Sequence, residues 1–403
     1  MKGPFSIWCF FGLTLTIDVL TLGYHKVRGS KLKRVNPYNP IRGVSVIIPA
    51  HKEGKHIEKT IRSLYAESYP LKNVIVCSDA ESSKTKEFVD ALCSEYDNLY
   101  YIECPYISKS RKINYVVKTV ADVLGEFVYV RDARVTGNPN CIEKMVSYFS
   151  DDTVAAVTSY GRLSIPKNFW SRAYYYGKSW INEVGRFRKR AQEKRDALFV
   201  ICGASTMYRT SVLNYIFIPH GTKTEDTHYT WRLQTAGYRI RVADDAVVSA
   251  PEIDGRDWDG IKGQLRQAYR WSSGTIQCFY KEGHNIPYNK RLFFTTVLPG
   301  FLEAITYSIP LVILPLLIIF YPFYGWGFLI GDTVFSLVGT LVFLPRKFFK
   351  TLVHYHQVFF FKYLNALVFL YALVRVTADA IDGNTKRWHN EWVPLQTDYV
   401  VAK

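Results

Sequence analysis

"VSVIIPAHKEGKHIEKTIRSLYAESYPLKNVIVCSD", residues 44–79, decides the fold. Its opening, "VSVIIPA" (44–50), is short, rich in β-branched residues and stopped by Pro49, as a buried parallel strand would be. The next segment, "HIEKTIRSLYAE", sets Ile57, Ile61, Leu64 and Tyr65 at helical spacing. "NVIVCSD" (73–79) is a second strand. The alternation continues outward: "SSKTKEFVDALCSEY" is a helix with Ser82 or Ser83 as its cap, and "NLYYIEC" is a third strand. "RKINYVVKTVADVL" is then a third helix and "EFVYVRDA" a fourth strand. Strands and helices alternating at this spacing predict a doubly wound, Rossmann-like α/β sheet.

Ligands of such sheets bind beyond the carboxyl ends of the strands. Glu53, Asp79 and Asp132 stand there, after the first, second and fourth strands. Acids also end strands and cap helices for purely structural reasons, but three at equivalent strand ends favour a site. "PAHKEGK" carries no GxGxxG, which argues against a nicotinamide dinucleotide enzyme. In "FVICGASTMYR" (199–209), an apolar strand is expected to break into small residues that permit close approach of a ligand. "TKTEDTHYTWRLQTAGYRI" (222–240) sets Glu225 and Asp226 just before a helix, where carboxylates are also ordinary capping residues. "GQLRQAYRWSSGT" (263–275) puts Gln267, Arg270 and Trp271 on one helical face; a basic amphipathic helix lying on a membrane would look similar.

The 403-residue chain is 48% hydrophobic, but unevenly so. Ala304–Gly331 and Thr333–Pro345 hold no charged residue, and Thr351–Val374 holds only Lys362. A membrane-spanning helix needs roughly 20 apolar residues, so two or three spans fit there, with another at the N-terminus. The expected divisions are an N-terminal span at 1–25, a basic linker at 26–43, an α/β domain at 44–275, an interfacial region at 276–306, spans at 307–378 and a tail at 379–403. Lys26, Arg28, Lys31, Lys33, Arg34 and Arg42, with no acid from Val19 to Lys52, place residue 26 onward in the cytoplasm. The formal charge of +16 is assigned to contact with anionic lipid headgroups, and no nucleic-acid partner is expected. Seven cysteines, an odd number without a CxxC pair, read as buried thiols rather than disulfides or zinc ligands.

Taken together, "IIPAHKE", Asp79 in "VCSDA", "KSRKIN", Asp132, "CGASTMYR", "TED" and "QAYRW" resemble the membrane-integrated family 2 glycosyltransferases. That group includes the processive hyaluronan, chitin and poly-N-acetylglucosamine synthases. The resemblance covers about residues 44–275 and implies a cytoplasmic GT-A domain using a nucleotide sugar, usually a UDP-sugar. It implies that Glu53, Asp79 and Lys109 hold the nucleoside and that Asp132 faces the diphosphate. Gly203 and Ala204 would border the acceptor sugar, and Asp226 would be the general base. Gln267, Arg270 and Trp271 would contact diphosphate and acceptor. An inverting transfer needs one base for the acceptor hydroxyl and positive charge for the departing diphosphate, which suits this set.

One position departs from the pattern. Family members usually read DxD where this chain reads Asp132-Ala133-Arg134, so Arg134 stands in the slot of a metal-binding carboxylate. Three readings stay open. Mg²⁺ or Mn²⁺ binds through Asp132, phosphate and water; Arg134 replaces the metal; or the chain only binds nucleotide sugars as an inactive membrane scaffold. The product is expected to be a polysaccharide or oligosaccharide passed through the membrane. The alternative is a single sugar placed on a membrane lipid, as in ceramide glucosyltransferases. The few expected spans would suit a homodimer, and a hairpin is expected about "YPFYGWG" (321–327).

Overall fold

The computed structural model describes residues 20, 23–29, 42–163, 182–250, 258–343, 345–353 and 355–389. The expected N-terminal span, most of the basic linker and the end of the tail lie outside the described residues.

The strands are β1 (Val44–Ala50), β2 (Asn73–Asp79), β3 (Leu99–Cys104), β4 (Phe127–Arg131), β5 (Thr136–Gly137), β6 (Val154–Leu163), β7 (Ser205–Arg209) and β8 (Arg239–Ala250). They form one eight-stranded sheet in the order β3-β2-β1-β4-β7-β6-β8-β5. β1 pairs in parallel with β2 and β4, and β2 with β3. β7 runs antiparallel to β4 and β6, so the sheet is mixed beyond β4. The helices of this part are α1 (His56–Tyr65), α2 (Ser83–Cys93), α3 (Lys109–Thr119), α4 (Cys141–Ser147), α5 (residues 182–193), α6 (Thr210–Tyr215) and α7 (Glu225–Thr235). Both faces of β1 are covered. Val46 and Ile48 pack with Ile57, Ile61 and Leu64 of α1, while Ile47 packs with Ile113, Val116 and Val117 of α3. Two covered faces are why the strand reads as an unbroken apolar run.

The expected strand at 199–204 is absent; only Ser205–Arg209 is extended in the sheet. Side chains supply the partners a ladder would have given. The Leu198 N–H donates to Gln234 Oε1 at 2.6 Å, Phe199 N–H to Gln192 Oε1 at 3.1 Å, Ile201 N–H to Thr230 Oγ1 at 3.1 Å and Cys202 N–H to Thr158 Oγ1 at 2.6 Å. A satisfied backbone need not join the sheet. Likewise Glu225 and Asp226 lie inside the first turn of α7, not before it.

Beyond the sheet, α8 (Trp258–Glu282) continues past the expected boundary at 275. Short turns follow, then a π-helical turn at Phe293–Val297, and α9 (Leu298–Phe320), α10 (Pro322–Phe343), α11 (Phe348–Val353) and α12 (Tyr355–Ile381). The chain turns back between α9 and α10 at Tyr321, within the stretch expected to form the hairpin, and helix resumes at Pro322. Pro322 lacks an N–H and suits a helix start. Among the described residues, Pro322–Phe343 and Tyr363–Ile381 are long and apolar enough to cross a membrane.

Candidate active site

Three groups of polar side chains collect at the carboxyl edge of the parallel strands. The first surrounds Asp79 at the end of β2. Lys112 Nζ lies 2.6 Å from Asp79 Oδ2 and also donates to the Ala50 carbonyl. His51 Nδ1 is 2.7 Å from the same carboxylate oxygen, and Ser82 Oγ donates to Oδ1 at 3.2 Å. Burial alone would raise the Asp79 pKa; Lys112 and His51 outweigh it and hold the carboxyl below its ordinary value. Ser82 stands at the N-cap of α2 as expected, but its hydroxyl makes no cap bond; it accepts the Lys52 N–H at 2.9 Å and ties the loop after β1 to β2.

The second group is a pair. Arg134 Nε donates to Glu53 Oε2 at 2.6 Å. Glu53 sits between two residues of positive φ, Lys52 and Gly54, both at 53°. For lysine this left-handed backbone costs about 1–3 kcal/mol and persists only where surroundings impose it. Here Ser82 holds the Lys52 N–H, and Thr85 Oγ1 accepts the Gly54 N–H at 2.9 Å. The loop is thereby fixed so that the Glu53 carboxylate meets the guanidinium.

The third group joins β4, α3, the 203–204 turn and α7. Lys109 Nζ lies 2.5 Å from Asp132 Oδ1 and 2.5 Å from the Gly203 carbonyl oxygen, with Glu225 Oε1 at 4.0 Å. The Asp132 N–H donates to the Ala204 carbonyl at 3.0 Å, closing β4 onto the turn. Gly203 has no room for a side chain, because a Cβ there would stand 2.7 Å from Asp226 Oδ2. Asp226 Oδ1 accepts the Thr227 N–H at 2.8 Å. Burial would lower the Lys109 pKa, but Asp132 and Glu225 raise it overall, so the ammonium is kept. Burial and then Asp226 raise the Glu225 pKa against the pull of Lys109 and Arg270. Asp226 thus stands near one ammonium, with the pKa of the neighbouring Glu225 carboxyl raised.

Helix α8 brings Gln267, Arg270 and Trp271 on one face; Trp271 is 47% exposed. Its approach is set by contact with the 223–224 segment. A Cβ at Gly274 would meet the Thr224 side chain at 2.6 Å, Lys223 N–H donates to Gln277 Oε1 at 3.0 Å, and Thr224 Oγ1 lies 3.5 Å from Cys278 Sγ. The sequence reading missed Lys112, His51 and the Thr224–Gly274 contact. Lys112 sits in the same helix as Lys109, and only the turn of α3 tells which lysine meets which acid.

For a divalent ion the donor set is poor. Asp132 already carries the Lys109 ammonium, Arg134 stands two residues on, and among the described residues no three His, Cys, Asp or Glu side chains gather as a metal site. The residues do not fit a resident Mg²⁺ or Mn²⁺.

Comparison with known proteins gives the site its context. Over 255 residues the chain is 24% identical to a poly-beta-1,6-N-acetyl-D-glucosamine synthase of Staphylococcus aureus (strain COL), covering 62% of this chain and 59% of that protein. It is 25% identical over 252 residues to an N-acetylglucosaminyltransferase of Rhizobium meliloti (strain 1021), covering 59% of this chain and 57% of that one. The chain therefore spans rather more than half the length of these relatives. In fold it is similar to the mannosyltransferase PcManGT from Pyrobaculum calidifontis, solved with GDP-Man and Mn²⁺, with a TM-score of 0.61, 18% identity, and coverage of 90% of this chain and 99% of that one. The α/β part is thus a GT-A-like fold. The pattern of glycosyltransferase like family 2 matches residues 40–274, more than half of the chain, and the chain belongs to that family of transferases.

Proposed function

We propose that this chain is an inverting hexosyltransferase that moves a sugar from a nucleotide donor, a UDP-sugar first, to a growing polysaccharide or oligosaccharide at the cytoplasmic face of a membrane. One observation carries the reading: the Asp226 carboxylate is seated against Gly203 in the cleft where Lys109 holds Asp132. In that cleft an acceptor hydroxyl would attack the anomeric carbon as its proton passes to Asp226, and the bond from that carbon to the diphosphate would break. The leaving group is already a good one, so no second carboxyl is needed as acid. Charge gathering on the diphosphate would be met by Lys109 and Arg270, and Trp271 would offer a flat face to the acceptor ring. Relatives named for N-acetylglucosamine make UDP-N-acetylglucosamine the first donor to try.

The test is detergent-purified full chain incubated with a panel of radiolabelled UDP-sugars, followed by sizing of the product. Donor-dependent UDP release that falls at least ~1,000-fold in Asp226→Asn, at an unchanged unfolding midpoint, is the expected outcome. Release unaffected by that substitution removes Asp226 as the base, and no release with any donor leaves only a binding role. A ladder or high polymer supports the synthase reading; one labelled glycolipid supports transfer to a lipid.

A further inference from the structure

The transfer proposed above needs cations at the diphosphate, and the end of β4 already holds them as side chains. Lys109 lies on Asp132, and two residues on, Arg134 lies on Glu53, with Arg134 30% and Glu53 16% exposed. The Arg134 side chain is thus partly exposed and is held by a carboxylate whose own loop is pinned by Ser82 and Thr85. We propose that the nucleotide diphosphate is bound through Lys109, Arg134 and Arg270 without a resident divalent ion, and that Glu53 is the resting counter-ion which Arg134 exchanges for phosphate oxygens. This rests on the nucleotide-sugar reading of the site.

The charges favour it. A divalent ion at Asp132 would have to displace an ammonium from Oδ1 and sit beside a guanidinium, and both neighbours repel it. A diphosphate meets the opposite situation. Guanidinium is planar, always charged and less strongly hydrated than ammonium, and it binds phosphate through two parallel N–H···O bonds. In the exchange the Glu53 contact at Arg134 is given up for phosphate contacts. Before the donor arrives, Glu53 holds Arg134 through Nε at 2.6 Å.

Calorimetric titration of the detergent-purified full chain with UDP, and in parallel with GDP, tests this in EDTA and in Mn²⁺. The expected dissociation constant of the unsubstituted protein differs by less than about 3-fold between the two conditions, since no ion is part of the site. R134D should weaken binding at least ~10-fold in EDTA, because charge-assisted phosphate bonds are lost, and Mn²⁺ should recover most of the loss through the new carboxylate pair with Asp132. An unfolding midpoint near that of the unsubstituted protein shows that R134D is folded; R134K, which keeps the charge without the fork, should bind with intermediate affinity in EDTA. Binding by the unsubstituted protein that disappears in EDTA and returns with Mn²⁺ overturns the inference and leaves the transferase reading standing. R134D binding as tightly as the unsubstituted protein in EDTA also overturns it. Failure to bind either nucleotide under any condition overturns both.

Discussion

Replacing Lys112 with methionine tests how the polar cluster at the ends of β1 and β2 is held. Lys112 is 1% exposed and Asp79 is 4% exposed, with 2.6 Å between Nζ and Oδ2. Methionine fills a similar volume and takes the ammonium away from the buried Asp79 carboxylate, which keeps His51 and Ser82, and from the Ala50 carbonyl, which keeps the Ser78 hydroxyl. Removing one partner of a buried ion pair costs about 3–5 kcal/mol, and His51 can retain part of the compensation, so the lower end, ~3 kcal/mol, is expected. In a domain of this size each kcal/mol moves the unfolding midpoint by roughly 2–4 °C, which gives a fall of about 6–12 °C. The assay is tryptophan fluorescence on heating, at one scan rate, with the full chain in detergent. Asp79 has a depressed folded pKa, so its pairing contributes fully above the unfolded carboxyl value near 4 and is lost as pH falls through the folded value. The gap between K112M and the unsubstituted protein should therefore hold between about pH 6 and 8 and close in acid. Asp79→Asn combined with K112M removes the stranded charge, so the double substitution should be less damaging than the sum of the single ones. A K112M midpoint within about 1 °C of the parent, or strictly additive effects, would show that the pair does not hold that cluster together.

Two other substitutions probe neighbouring parts. Gly274→Ala puts a Cβ 2.6 Å from the Thr224 side chain, so α8 must back away from the turn that carries Asp226. On the proposed function, UDP release should fall by about 10–100-fold with a smaller change in donor KM, since an ångström of misplacement is enough; a parental rate would mean that α8 does not set the position of Asp226. Burial raises Glu193 to about 7, with Arg241 and Arg190 pulling the other way. A raised folded pKa means stability is complete below the unfolded value and is lost as pH rises through the folded one, so Glu193→Gln should gain on its parent between about pH 4.5 and 7 and keep at most ~3 kcal/mol above that. Parallel midpoint-versus-pH curves for the two proteins would refute this.

The parallel half of the sheet was legible because each strand is buried on both faces. A run such as Val44–Ala50 can then hardly be anything else, and the strand bounds 44–50 and 73–79 match the sequence pattern. Phe199–Cys202 has the same apolar look and is not a strand. What decides it is Gln192, Thr158, Thr230 and Gln234 reaching in from three other elements, and no local pattern encodes that. The acids at the strand ends were visible as types at positions, whereas their partners were not. Asp79, expected as a nucleoside contact, is found beneath Lys112 and His51, and Arg134, weighed against a metal or a phosphate, is found on Glu53. Side chains meeting over 28, 33 and 81 residues of separation are set by the way β1, β2 and β4 line up. The glycines at 203 and 274 say why small residues stand there only once their neighbours, Asp226 and Thr224, are in place.

The apolar helices bear on the cleft through α8. On one side α8 is fitted to Thr224 by Gly274, Gln277 and Cys278. On the other, Ile276 packs with Ala372 and Val376 of α12, Tyr280 Oη donates to Thr377 Oγ1 at 3.0 Å, and the Tyr269 and Tyr371 rings lie 5.6 Å apart. Arg270 thus sits on an element whose position is set jointly by the Lys223–Thr224 segment and by α12. The face that α10 turns outward carries Phe323, Trp326, Ile330, Val334 and Leu341, while Asp332, Ser336 and Thr340 are buried and Asp332 accepts from Tyr363 Oη at 3.0 Å. Large apolar groups outside and polar groups inside are the arrangement expected when the surrounding solvent is lipid, where buried hydroxyl and carboxyl groups must pair with one another. It supports placing α10 and α12 in a bilayer. Under that placement α8, which carries Arg270, is the element that links the Thr224 segment to a helix apolar enough to cross a membrane.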